Sequence, residues 1–330
     1  MAVSSENPNI VEVEQLSKRY GRVLALDEVS LEVDRGETYA ILGPNGSGKT
    51  TLIHVLCTIH RADSGTARIS GYEVHRQPRQ ARKQIGVVFQ EPSLDTRLTV
   101  QENLDFHGRI YGVPGRVRRA RIAELLELVE LGAWRDHLVR ALSKGMQRRL
   151  EIARALVHDA SLLILDEPTV GLDAQTRARM WEHLRELKRL REITVLVTTH
   201  YIEEVEGCDR VCILDHGKVL TVGAPAELKA RHGRMTVRVL PRDEDAAALV
   251  KSAYEGVEQV GEDLVVPVAD EAATEKMLAE HGARFRAFAV QRPSLEDVFL
   301  DLTGRGLRDQ EAGSRDRLLA APRSGGEPIR

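Results

Sequence analysis

Hydrophobic positions along the chain change period several times, and each change marks a different kind of element. "TYAIL" (Thr38–Leu42), "LLILD" (Leu162–Asp166) and "ITVLVTT" (Ile193–Thr199) are near-continuous apolar runs of strand length. Runs without polar alternation suit central parallel strands covered on both faces. "DRVCILDHGKVLTVG" reads as two strands around His216-Gly217, an antiparallel hairpin near a sheet edge. With the amphipathic stretches between them, these strands give an α/β pattern from Ile10 to about Gly223. Between roughly Glu91 and Ala141 the strand pattern stops. "LTVQENLDFHGRIYG" opens with Thr99 and Glu102 at capping-box spacing, and "RVRRARIAELLELVEL" follows as an amphipathic helix. A further helix, "LSKGMQRRLEIARAL", repeats Leu150, Ile152, Ala153, Leu156 and Val157 at helical spacing. Together they predict a helical insertion over about 91–157.

After "GAPAELKARHG" the texture changes. "MTVRVL", a helix from about Glu244, "GVEQV", "DLVVPV", a helix from about Asp270 and "ARFRAFAV" run in the order βαββαβ. That order predicts a small α+β ferredoxin-like unit over 235–291. "PSLEDVFLDLTG" adds one helix, so an accessory domain of 235–303 is expected behind a first domain of 10–230. Residues 1–9 are polar and read as a flexible terminus. Residues 304–330 mix charge, Gly and Pro and read as a disordered tail.

Composition narrows the field of partners. The chain of 330 residues carries 47 basic and 50 acidic side chains, net −3, which argues against a nucleic-acid binder relying on bulk charge. The Arg116–Arg121 run is read as a solvated helix face rather than a contact for something acidic. Cys57, Cys208 and Cys212 are odd in number and lack metal-ligand spacing, so they read as buried or free thiols in a reducing cytosol. No stretch approaches the roughly 18 apolar residues of a membrane helix, and "MAVSSENPNI" lacks the pattern of a signal peptide. A cytosolic protein is expected, with any membrane role supplied by a partner.

Three segments carry candidate chemistry. "AILGPNGSGKTT" places Gly43-x-x-x-x-Gly48-Lys49-Thr50 directly after an apolar strand and before a helical run, the context a phosphate-binding loop requires. Backbone N–H groups from about Gly46 to Thr51 can turn inward around a β-phosphate. Lys49 adds a charge on the β- and γ-phosphates, the Thr50 hydroxyl can ligand Mg²⁺, and Thr51 can reach the α-phosphate. "SLLILDEPTVGLD" ends a strand on Asp166, where such proteins place the carboxylate that holds Mg²⁺. Glu167, one residue on, can polarise a water in line with the γ-phosphate. The third segment is "LSKGMQRRLEIARAL", whose helix begins at Ser143 and Gly145 and so offers a second anion site.

With these residues in view, the chain resembles the nucleotide-binding subunit of an ATP-binding cassette transporter. The marks are "GPNGSGKTT", "LSKGMQRRLEIARAL", "LLILDEPTVGLD" and "TTH", in that order between Val11 and Gly223. The resemblance implies a P-loop NTPase core with an antiparallel β-subdomain, which binds Mg·ATP through Gly43, Asn45, Gly46, Ser47, Gly48, Lys49, Thr50 and Thr51. It further implies that Ser143 and Gly145 contact the γ-phosphate bound by a second copy, in a homodimer that sandwiches two nucleotides. By the same resemblance Tyr20 stacks on adenine and Gln90 senses Mg²⁺ beside Thr50 and Asp166. Asp173 contacts the opposite subunit, and His200 touches the γ-phosphate beside the catalytic Glu167. Lys144 and Met146 depart from the usual Leu-Ser-Gly-Gly-Gln, while Ser143 and Gly145 are kept. "SLDTRLTVQENL" and "RPSLEDVFLDLTG" look most like the ATPase subunits of daunorubicin-resistance-type drug exporters. The implied partner is a separate transmembrane permease, with the subunit peripheral on the cytoplasmic face of the membrane and no nucleic acid bound. The rival expectation is a soluble cassette ATPase acting on ribosomes or nucleic acid. Such proteins usually join two cassettes in one chain or insert long coiled coils, and this sequence has neither.

Overall fold

The computed structural model describes residues 8–233 and 235–303. They fall into two compact units, the first ending at Gly223 and the second beginning at Ala224.

The first unit is built on two sheets. Strands β1 (Asn9–Tyr20), β2 (Val23–Asp34), β4 (Ser64–Ile69) and β5 (Tyr72–Glu73) form an antiparallel sheet of order β2-β1-β4-β5. The other sheet has order β10-β9-β3-β8-β7-β6, from β3 (Thr38–Leu42), β6 (Ile85–Val88), β7 (Leu162–Asp166), β8 (Thr194–Thr199), β9 (Arg210–Asp215) and β10 (Lys218–Gly223). All of its pairings are parallel except β9–β10, the edge hairpin that turns at His216-Gly217. Every residue of β7 and β8 is buried, which is why their sequences read as unbroken apolar runs. Helix α1 (Lys49–Leu56) follows β3, α2 (Pro78–Gln84) precedes β6, and α6 (Ala174–Arg191) and the short α7 (Ile202–Val205) flank β8. The core joins the two sheets around α1, with Leu16, Leu26, Tyr39, Ile41, Ile53, Ile164 and Leu196 all buried.

The helical insertion holds α3 (Val100–Ile110), α4 (Gly115–Leu128) and α5 (Lys144–Leu156), with two short 3-10 turns before α5. Thr99 and Glu102 close the expected capping box at the start of α3. Helix α5 packs on α3, α4 and β6. The arginine run before it is only partly a solvated face. Arg116 and Arg119 are exposed, but Arg118 donates to Asp105 Oδ1 at 2.5 Å and Arg121 to Val157 O at 3.0 Å. Two of the four guanidiniums therefore tie α4 to its neighbours. All three cysteines are buried.

The second unit carries α8 (Pro225–His232), β11 (Met235–Pro241), α9 (Glu244–Ala253), β12 (Glu258–Val260), β13 (Asp263–Val268), α10 (Glu271–His281), β14 (Phe285–Gln291) and α11 (Leu295–Thr303). Its sheet is antiparallel with order β12-β13-β11-β14, which is the split βαβ arrangement. Val237, Val239, Val250, Leu264, Val266, Met277 and Phe285 form its core.

Two expected boundaries move. Helix α8 belongs with the second unit and not with a first domain reaching residue 230: it packs against α11, and its Leu228 is buried. Asn9, expected in a loose terminus, already pairs with Asp34 in the β1–β2 ladder. Residues 1–7 and 304–330, the rest of the expected flexible ends, lie outside the described residues.

Candidate functional site

Four parallel strands deliver the candidate residues at their carboxyl ends, where ligands bind in open α/β sheets. The phosphate loop follows β3, Gln90 lies two residues beyond β6, Glu167 follows β7 and His200 follows β8.

The phosphate loop is shaped by close packing. Gly48 caps α1 at φ 109°, a left-handed conformation that disfavours any side chain, and a Cβ there would lie 2.5 Å from Ala25 O. At Gly43 a Cβ would meet Leu214 O at 2.2 Å. The β9–β10 turn presses on the loop from outside, with Gly217 N–H donating to Ser47 O at 2.8 Å. Lys49 is buried, and its ammonium donates to Gly43 O at 2.8 Å and Pro44 O at 3.1 Å. It also meets Glu167 Oε1 at 3.1 Å. Burial pulls the Lys49 ammonium below its usual range, and the charges of Glu167 and Asp166 oppose that shift.

Facing the loop, the two acids are held by one hydroxyl. Thr198 Oγ1 donates to Asp166 Oδ1 at 2.5 Å and accepts the Glu167 backbone N–H at 3.0 Å. Thr50 Oγ1 approaches the same Asp166 oxygen at 3.5 Å. Glu167 sits at φ 45°, a left-handed backbone for a non-glycine residue. Its carboxylate lies 3.4 Å from His200 Nδ1 as well as beside Lys49. Burial pushes this carboxyl up, but the His200 hydrogen bond and the Lys49 charge outweigh burial and hold it below its ordinary value. Glu167 is thus an ionised carboxylate at neutral pH.

Asn45, Gly46, Gly48, Lys49, Thr50 and Thr51 share one open cleft of about 630 Å³ with Gln90 and Glu167. Val23, Leu24, Ala25 and His216 line the rest of it. Tyr20 is not part of that lining. It stands 43% exposed at the end of β1, edge-on to His60 with ring centroids 5.7 Å apart and with the Lys18 ammonium 5.4 Å from its ring.

The helix start expected to hold a second anion stands apart. Ser143 caps α5 and accepts the Met146 N–H at 3.3 Å, and Lys144 beside it is exposed. Ser143 and Gly145 line a different cavity, of about 230 Å³, with Met146, Arg149, Thr176 and Arg179. Asp173 caps α6 by accepting from Thr176 N at 2.9 Å and Thr176 Oγ1 at 2.6 Å, bonds that hold its carboxyl below the usual range. Sequence reasoning missed Thr198 and the buried Arg148. Thr198 is one of three threonines in β8, so its hydroxyl carried no signal of its own in the sequence.

A glycine-rich strand-to-helix turn, its lysine facing an acidic strand end, defines a P-loop nucleoside-triphosphate hydrolase. Comparison with known proteins narrows the class. Residues 26–170 match the ABC transporter family model, and residues 223–303 match that of the DrrA1-3-like ATP-binding protein C-terminal domain. The chain is 42% identical over 307 residues to Nod factor export ATP-binding protein I of Ralstonia nicotianae, covering 91% of this chain and 95% of that one. It is 39% identical over 311 residues to daunorubicin resistance ATP-binding protein DrrA3 of Streptomyces coeruleorubidus, covering 92% and 98%. Among solved structures, the dimeric ATP-binding cassette MJ0796, in a post-hydrolysis state with ADP and Pi, superposes with a TM-score of 0.58 at 29% identity, covering 65% of this chain and 98% of that one. The protein therefore belongs to the ATP-binding subunits of ABC transporters and is an ATPase of that family. No helix among the described residues is long and apolar enough to cross a membrane.

Proposed function

We propose that this subunit closes with a second copy of itself around two Mg·ATP and powers a separate membrane permease that exports a small lipophilic molecule. One observation carries the dimer. The phosphate-loop cleft and the Ser143 helix start line different cavities of the same chain. Each is half of a γ-phosphate site, and a head-to-tail pair completes both. The dimeric MJ0796 cassette supports the arrangement, and the Nod-factor and daunorubicin relatives support export.

In this reading the loop N–H groups and Lys49 bind the β- and γ-phosphates. Glu167, ionised and one residue beyond β7, accepts the proton of the attacking water, and His200 steadies that carboxylate. Thr50, Asp166 and Gln90 are the groups that would hold Mg²⁺. The approach of Thr50 Oγ1 to Asp166 Oδ1 supplies the oxygen-only donor set that a hard cation prefers. Bound there, the ion neutralises phosphate charge. Ser143, Gly145 and the positive end of α5 hold the partner's γ-phosphate. Loss of that phosphate on hydrolysis removes the ligand the two copies share, and the pair reopens. Asp173 lies at the copy-to-copy contact, and Tyr20 stacks on the adenine. Movement reaches the permease, at the cytoplasmic face of the membrane, through the segment after Gln90 and the helices of 91–141.

Ser143→Arg tests the trans contact. Its phosphate loop should bind a fluorescent ATP analogue normally, while the ATP-dependent dimer, read by light scattering in a Glu167→Gln background, should vanish. Normal dimers from that variant overturn the reading. Purification from membranes with a polytopic protein supports the permease, whereas purification with RNA supports a ribosome or nucleic-acid partner instead.

A further inference from the structure

We infer that Arg148, buried in α5, is a positioning residue that couples the two nucleotide sites of the dimer. It lies five residues after Ser143, on the helix whose tip is offered to the partner's nucleotide. Its guanidinium reaches the backbone of the two segments that carry Gln90 and Glu167. Nη1 donates to Phe89 O at 2.6 Å, the residue before Gln90. Nε donates to Pro168 O at 2.7 Å, and Nη2 to Glu167 O at 3.4 Å. The charge is balanced by the buried Glu151, whose Oε2 accepts from Nη1 at 2.9 Å. Glu151 Oε1 in turn accepts the Ser93 N–H at 2.8 Å, beyond Gln90 on the other side.

One planar fork thus bolts α5 to both segments that carry this chain's own water-activating and Mg²⁺-sensing groups. Guanidinium geometry suits this, because its five donors leave in fixed directions and one group can serve three carbonyls and a carboxylate together. When Gln90 and Glu167 shift as one ATP is hydrolysed, α5 is carried with them, and its Ser143 tip moves against the partner's ATP. The link makes the affinity and turnover of one site depend on the occupancy of the other, which is a coupling free energy between sites.

The inference rests on the dimeric reading, and the test separates the two. Arg148→Gln/Glu151→Gln removes both charges together, so no buried ion is stranded. Arg148→Lys keeps the charge beside Glu151 but lacks the fork. In the full-length protein, either variant should bind ATP at the phosphate loop within twofold of wild type. Each should lower kcat at least tenfold with little change in KM, and should bring the Hill coefficient for ATP down to 1. Arg148→Lys decides the matter where the double variant does not fold. If the folded variants keep kcat within twofold and an unchanged Hill coefficient, or if wild type itself shows a Hill coefficient of 1, the coupling role is wrong. A Glu167→Gln protein that never dimerises with ATP sinks the dimeric reading instead.

Discussion

Replacing Glu167 with glutamine keeps the side chain's shape and removes its charge and its proton affinity, so it tests electrostatics and chemistry together. Breaking a buried ion pair costs about 3–5 kcal/mol when the survivor is left stranded. Lys49 is not stranded, because Gly43 O and Pro44 O still accept its protons at 2.8 and 3.1 Å. The loss is nearer that of one charge-assisted hydrogen bond, about 1.5–3 kcal/mol. A domain of this size loses about 2–4 °C of melting temperature for each kcal/mol. The sign with pH follows from the depressed carboxyl. Its stabilisation is fully present above the ordinary value of 4.5 and is lost as pH falls through the lower folded value. The gap between wild type and Glu167→Gln should therefore be widest near neutrality and close on the acid side of pH 4.5. Thermal unfolding of both nucleotide-free proteins across that range reads it, and a gap that stays constant with pH refutes the ion-pair account. Phosphate release reads the chemistry. Loss of a general base should lower kcat about 10²–10⁴-fold while ATP affinity is retained. Turnover within tenfold of wild type removes Glu167 from that role.

Three further outcomes follow from the geometry. Thr198→Val deletes the hydroxyl shared by Asp166 and the Glu167 N–H, and should cost about 1–3 kcal/mol in a denaturant titration and slow phosphate release more than it weakens ATP binding. Gly145→Ala would put a Cβ 2.5 Å from Thr176 Cγ2, and Thr176 is held in place by its hydroxyl bond to Asp173. ATP-dependent dimerisation should fail in that variant and return in Gly145→Ala/Thr176→Ser, which removes the methyl and keeps the hydroxyl; a double variant that stays monomeric contradicts the packing argument. Phe106 and Ile110, 59% and 64% exposed on one face of α3, contact the permease in the proposed assembly. Phe106→Asp/Ile110→Asp should leave the melting temperature and the basal ATPase rate of the isolated subunit within error, yet abolish purification with a membrane protein.

The legible parts of the fold were those where burial is extreme. β3, β7 and β8 are covered on both faces, so their sequences need no turn or cap to be recognised, and the phosphate loop is pinned by glycines that local geometry demands. The antiparallel sheet was harder to resolve strand by strand. β1 and β2 are interrupted by register shifts and by positive φ at Gln15 and Glu28, so their alternation of inward and outward residues slips partway along each strand. The end of the first unit was misplaced because α8 is an ordinary amphipathic turn of helix whose allegiance is decided by α11, about seventy residues on. Thr198 and Arg148 were silent for a different reason. Each acts largely on backbone carbonyls or N–H groups, and a sequence does not record which distant backbone atom a side chain will meet.

Backbone contacts of the same kind hold Glu167 in place. Glu167 occupies a left-handed backbone conformation, which costs a non-glycine residue about 1–3 kcal/mol and persists only where surroundings over-determine it. Two ties do so. On the sheet side, the Glu167 N–H is held by both the carbonyl and the hydroxyl of Thr198, at 3.1 and 3.0 Å. On the helix side, the carbonyls of Glu167 and Pro168 are gripped by Arg148. The first tie belongs to a strand buried in the subunit's own core. The second belongs to the helix whose tip, in the proposed dimer, faces the neighbouring copy. A carboxylate suspended between a fixed anchor and a movable one keeps its charge and its burial while its reach toward a bound water depends on where the movable anchor sits. Near neutral pH this carboxylate is ionised, so in the proposed mechanism turnover is set by its position rather than by its protonation.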